Sequence, residues 1–164
     1  MIFIEEQALI VKIRQHSYNG FRNEVARMQL VYEAPTAQEY VSLRLRAGMG
    51  NKDMERSQIA LDNSLFTASL YDKEKLIGFG RIVGDGGITY VVSDIMVDTA
   101  YQRKGYAEQI MTAIDGYLQE HAHVDSYICL IANQPADRLY HKHQFEYLPE
   151  NKCGMLRKTD DLGR

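Results

Sequence analysis

A chain of 164 residues, 45% apolar and 25% charged, has the length and composition of one globular domain with a core of its own. Its net charge of −3 argues against a nucleic-acid binder, which carries a basic excess, and no apolar run is long enough to span a bilayer. The first residues, Ile2-Phe3-Ile4 followed at once by Glu5-Glu6, do not read as a secretory signal, and two cysteines, Cys129 and Cys153, form neither a disulfide framework nor a metal pattern, so a reduced, cytoplasmic protein is expected.

The first 27 residues show no sustained apolar period, and Asn19-Gly20 interrupts them. They read as an extension of uncertain status before a domain over 28–164. One reading makes Met28 the physiological start, since Glu24-Val25 can be encoded by a purine-rich ribosome-binding sequence; the other makes the segment a true arm on the sheet edge or a partner chain. Met28–Tyr32 reads as a strand. Thr36 to about Ala47 reads as a helix, with Thr36 and Glu39 as a capping box and Gly48 as its stop. Lys52–Leu61 reads as a shorter helix. Leu65–Tyr71 and Leu76–Val83 read as strands, joined by a charged turn, and Asp85-Gly86-Gly87 leads into a third strand over Ile88–Val97.

The next helix is expected from about Lys104 to His121, because Ala107, Ile110, Met111, Ile114 and Leu118 recur at helical spacing. Tyr127–Ala132 is a continuous apolar run, the pattern of a strand covered on both faces. Its Cys129 reads as a small buried hydrophobe. Pro135 opens a short helix to about His143, with Asn133 as a cap, and Phe145–Leu148 and Gly154–Arg157 read as final strands. The expected fold is α/β: a mixed central sheet with an antiparallel meander, covered by helices.

Between the third strand and the long helix lies Asp94-Ile95-Met96-Val97-Asp98-Thr99-Ala100-Tyr101-Gln102-Arg103-Lys104-Gly105-Tyr106-Ala107. A loop opening directly into a helix offers free backbone N–H groups and a positive helix end to a phosphate. Gly105 has no Cβ to block a ligand, Ala107 is small, and Arg103 and Lys104 add two cations. The Gln-x-x-Gly-x-Ala spacing of Gln102, Gly105 and Ala107 resembles the acyl-CoA motif of the GNAT superfamily of N-acetyltransferases. A second segment, Asn133-Gln134-Pro135-Ala136-Asp137-Arg138-Leu139-Tyr140-His141-Lys142-His143-Gln144-Phe145, resembles that superfamily's Asn-x-x-Ala-x-x-Leu-Tyr-x-x-x-Gly-Phe pattern, with Gln144 where glycine is usual. The order of elements from Met28 onward is similar as well.

The resemblance implies a GNAT-like fold and an acetyltransferase using acetyl-CoA as co-substrate. Gln102, Arg103, Lys104, Gly105, Tyr106 and Ala107 would bind pyrophosphate. Ile95, Met96 and Val97 would pair with the pantetheine arm and supply a backbone N–H to the oxyanion. Asn133 would contact the same arm, and Tyr140 would be the general acid. A phenol is suited to protonate a thiolate leaving group; the other reading of Tyr140 is a core aromatic, one of eleven tyrosines. An arriving ammonium also needs a base. Asp94, a carboxylate among apolar neighbours, is the candidate, with an ion pair or a water chain as the alternatives.

His141 and His143, two apart on a helix, point to different faces and argue against a shared metal site; no metal is expected. His121 and His123 straddle a helix end, where histidine meets terminal carbonyls. Arg44, Arg46, Met49 and Met54 would lie on the acceptor side, the arginines on a solvated face and the methionines in the core. The acceptor is expected to be a small-molecule or peptide amine, with neither nucleic acid nor membrane as partner, and a homodimer is possible. Two other classes stay open: a CoA-binding sensor or interaction domain without catalysis, and a domain for another nucleotide. The second is disfavoured because the loop lacks a Lys-Ser/Thr ending and no acidic ribose partner follows.

Overall fold

The computed structural model describes residues 28–157; the extension before Met28 lies outside the described residues. Five strands and four helices follow one another: β1 (Met28–Val31), α1 (Ala37–Arg46), α2 (Met54–Asp62), β2 (Phe66–Asp72), β3 (Lys75–Gly84), β4 (Thr89–Val97), α3 (Tyr106–His121), β5 (Tyr127–Cys129) and α4 (Asp137–Lys142). A single 3-10 turn, Thr99–Tyr101, precedes the loop before α3. The sheet order is β1-β2-β3-β4-β5. The first four strands form an antiparallel meander, and β5 joins β4 in parallel. This is the mixed α/β architecture expected.

Local chemistry fixes the ends. The Thr36 hydroxyl accepts the Glu39 N–H, and the Glu39 carboxylate reaches back to the Thr36 N–H, a complete capping box. Asp53 caps α2 through the Arg56 N–H. Gly48 stands just past α1 at φ +75°. One Asp85 carboxylate oxygen accepts the N–H groups of Gly87, Ile88 and Thr89, which closes the β3–β4 hairpin and pulls the Asp85 carboxyl below its usual range.

Helices cover both faces. On one, Tyr40, Val41 and Leu43 of α1 and Leu61 of α2 pack on Leu76, Phe79 and Met96. On the other, Ile110, Met111, Ile114 and Leu118 of α3 pack on Ala68, Ile82, Tyr90 and Val92. Burying each such side chain contributes roughly 1.5–3 kcal/mol. Gly80 sets how closely α3 approaches: a Cβ there would lie 2.6 Å from both Ile110 Cγ2 and Ile95 Cδ1.

Several expectations are corrected. The segments 145–148 and 154–157 are not strands. The run 127–132 forms only a three-residue strand. It stands at the sheet edge, so Tyr127 and Ile131 are exposed rather than covered on both faces. Cys129 is accordingly only half-buried, which still raises its thiol pKa by desolvation. The long helix begins at Tyr106 rather than Lys104, because Arg103 and Gly105 both take positive φ.

Candidate functional site

Strands β4 and β5 pair only from Thr89↔Tyr127 to Val91↔Cys129. Beyond that β4 runs on to Val97 while the chain after Cys129 departs. The two therefore splay and open a cleft of about 350 Å³. Ser93, Asp94, Ile95, Met96 and Val97 form one wall; Leu130, Ile131, Asn133, Ala136 and Tyr140 form the other, and Gln102 closes one end. Along this stretch the side of β4 that faces β5 has no strand partner among the described residues. Its backbone is available to an extended ligand arm.

A bulge reinforces this. Phe79 pairs with Met96 and Arg81 with Ser93, so Asp94 and Ile95 both stand opposite Gly80. Asp94 is the inserted left-handed residue, at φ +56°. The bulge takes backbone out of the regular β3–β4 ladder at the middle of the cleft wall.

The loop adjoins the cleft. Val97, Gln102, Arg103, Gly105, Tyr106 and Ala107 line a neighbouring depression of about 170 Å³. Gln102 borders both spaces, and its side-chain amide donates to the Val97 carbonyl at 3.1 Å. Gly105 is the N-cap of α3 at φ +82°, with no side-chain cap on the helix. A Cβ built there meets no protein atom within 4 Å. The first N–H groups of α3 thus face open space beside Arg103, an arrangement suited to a phosphate. Lys104 does not line the depression; its ammonium lies 5.3 Å from the Tyr101 ring centroid and 3.4 Å from the Ala100 carbonyl.

Tyr140 enters the cleft from α4. Burial raises its pKa, so the phenol keeps its proton at neutral pH. Among the described residues its hydroxyl has no hydrogen-bond partner, which leaves it for a ligand. Asn133 lines the same cleft, and its carbonyl accepts the Ala136 N–H at 2.8 Å. It therefore shapes the turn before α4, while Ala136 holds the N-cap position. Gln144 takes the left-handed φ of +65° that its glycine-like place requires.

Asp94 sits in ion pairs, the alternative to a base that its sequence left open. Its Oδ1 accepts from Arg44 Nη1 at 2.8 Å, and its Oδ2 accepts from Arg81 Nε at 2.7 Å and from the Tyr40 hydroxyl at 2.9 Å. Both arginine side chains are largely shielded from water. Most of the carboxylate's acceptor capacity is thus taken by cations and a phenol, which suits an anchor better than a proton acceptor. The contact with Asp94, after the larger effect of burial, raises the Tyr40 pKa.

The expected solvated face for Arg44 is corrected: it is buried, and also donates to the Met49 and Gly50 carbonyls. Arg46 pairs instead with Asp98. Met49 lines the cleft, whereas Met54 is exposed rather than in the core. Sequence reasoning missed Arg81 and Tyr40. A lone arginine in the apolar run Leu76–Val83, across a tight hairpin from a lone aspartate, was the available signal. His141 and His143 do face different partners, Phe145 O and Asp115 respectively. Among the described residues no group of three or more His, Cys, Asp or Glu is placed to hold a metal.

Known proteins are similar to this chain in sequence or fold. A probable acetyltransferase of Staphylococcus aureus, SA2161, is 40% identical, with a TM-score of 0.77 over 80% of this chain and 99% of its own. A GNAT-family acetyltransferase of Streptococcus pneumoniae shares the fold at 22% identity, with a TM-score of 0.68 over 81% of this chain and 98% of its own. The ycf52 N-acetyltransferase of Gracilaria tenuistipitata var. liui is 31% identical over 71 residues, 41% of this chain and 39% of that protein's length. The match to the Acetyltransferase (GNAT) family covers residues 30–145 and takes in both the loop and α4; the chain belongs to that family.

Proposed function

We propose that the chain moves an acetyl group from acetyl-CoA to a primary amine by direct attack in a ternary complex. The observation that carries this is the splayed β4–β5 cleft, which joins the open helix start at Gly105 to the Tyr140 phenol. The loop from Gln102 to Ala107 holds the pyrophosphate, with Gly105 leaving room for it. The β4 edge at Ile95, Met96 and Val97 pairs with the pantetheine arm, and Asn133 contacts it from the opposite wall.

The amine nitrogen forms a bond to the thioester carbonyl carbon, and charge develops on the oxygen. A backbone N–H near the β4 bulge stabilises that charge. The C–S bond then breaks, and Tyr140 donates its proton to the leaving thiolate. One ammonium proton leaves to water before the attack; the second nitrogen proton, lost after it, passes through water to the tyrosinate and restores Tyr140. Asp94 holds Arg44, Arg81 and Tyr40 beneath the acceptor side rather than taking the ammonium proton. The free cysteines Cys129 and Cys153 fit a reduced, cytoplasmic setting, and among the described residues no helix is long and apolar enough to cross a membrane.

A panel of small and peptidyl amines with acetyl-CoA, read by thiol release, tests the reading. Amine-dependent release supports it. Tight CoA binding with no release for any amine contradicts it and favours a sensor without catalysis.

A further inference from the structure

His143 stands one turn beyond Tyr140, at the end of α4. Its side chain is only 6% exposed. Nδ1 lies 2.5 Å from Asp115 Oδ2, and Nε2 faces Glu108 Oε1 at 3.4 Å, with no hydrogen-bond partner of its own. Both carboxylates belong to α3, two turns apart. Glu108 is in the first turn of that helix and borders the depression at Gly105. Lys142 Nζ adds a weaker contact, 3.7 Å from Glu108.

Among the described residues, these contacts are the polar side-chain links from α4 to the rest of the molecule. The other side-chain bonds of this region, Tyr147 to Asp137 and His141 to Phe145, stay within it. α4 has no fully buried residue of its own. Leu139, Tyr140 and Phe145 pack on the core that Ile110, Met111 and Ile114 of α3 help to form; to that apolar contact the buried His143 ring adds a directional tie between the helix that carries the phenol and the helix that opens the phosphate loop. The acid must meet a sulfur whose distance from the pyrophosphate is fixed by the ligand. A shift of about 1 Å between the two helices is enough to lower the rate by roughly 10²-fold.

We infer that His143 is a positioning residue for the reaction: its hydrogen bond to Asp115 ties the end of α4 to α3 and so sets Tyr140 against the phosphate loop. This rests on Tyr140 being the general acid, and the test separates the two. His143→Ala, His143→Asn and Tyr140→Phe are made singly, and the His143 variants are combined with Tyr140→Phe. Turnover, acetyl-CoA KM and melting temperature are measured for each.

The expected result is a kcat about 10-fold lower in His143→Ala, with KM for acetyl-CoA within about 2-fold. In the Tyr140→Phe background the same change is expected to cost almost nothing further. His143→Asn keeps a donor near the Nδ1 position toward Asp115 and is expected to recover part of the loss; it also serves where the alanine variant folds poorly. A His143 loss of equal factor in both backgrounds, or one confined to KM or melting temperature, overturns the inference while leaving the acid in place. A rate insensitive to Tyr140→Phe overturns the acid assignment, and this inference with it.

Discussion

Replacing Asp94 by asparagine separates an anchor from a base. The side chain keeps its size and loses its charge. In the native site both carboxylate oxygens accept: Oδ1 from Arg44, Oδ2 from Arg81 and Tyr40. An amide has one acceptor oxygen, so its NH₂ must face a donor on one side or the other. Two guanidiniums, whose side chains are 6% and 14% exposed, are left without a counter-charge. Breaking a buried pair in this way costs about 3–5 kcal/mol; the retained neutral contacts put Asp94→Asn near the lower end. At roughly 2–4 °C per kcal/mol for a chain of this size, the melting temperature should fall by about 10 °C. Thermal melting followed by circular dichroism measures this, and the pH–rate profile of the surviving enzyme is taken well below its melting point. The account expects the large drop with the acidic limb of the profile in place. A melting temperature within about 2 °C of the parent together with a displaced acidic limb would refute it and return Asp94 to the role of base.

Other consequences are simpler to read. Gly105→Val puts a branched side chain into the space before α3 and into a φ of +82°; acetyl-CoA should no longer raise the melting temperature, and an undiminished shift in a folded variant contradicts the phosphate loop. At Asp98, burial pushes the carboxyl upward, but hydrogen bonds from Lys75, the Ala100 N–H and Arg46 outweigh it and hold the pKa below the usual value. Its stabilisation is therefore present above the unfolded carboxyl's pKa of about 3.9 and lost as pH falls through the lower folded value. Asp98→Asn should melt lower at pH 7 and lose less stability between pH 5 and pH 2 than the parent; parallel acid curves contradict this. A chain beginning at Met28 is expected to fold, bind acetyl-CoA and melt at an unchanged temperature, which a large loss on truncation would disprove.

What could be read from the sequence followed the range of the interaction that determines it. The capping box at Thr36, the Asp85 turn and the apolar stripe of α3 are decided within a few residues, and they appear in the structure within two residues of the expected bounds. The candidate wall of the cleft was also legible, because strand, loop and helix start are contiguous from Asp94 to Ala107. Asp94 was noticed as a misplaced charge, but its partners lie 13, 50 and 54 residues away, and no local pattern names them. The burial of Arg44 follows from the same network. The run 127–132 was misread because apolar content reports what a strand can bury, whereas its position at the sheet edge is a property of the whole topology.

The most direct test of the central claim is the chemical step in Tyr140→Phe, measured in a single turnover with acetyl-CoA and an accepted amine. The substitution keeps the ring in the cleft and removes the hydroxyl that carries the phenol's proton. The account predicts a fall of roughly 10²-fold or more in the chemical rate, with acetyl-CoA affinity unchanged. An unchanged chemical rate would show that the proton reaches the thiolate by another route, and Tyr140 would then be one more packed aromatic.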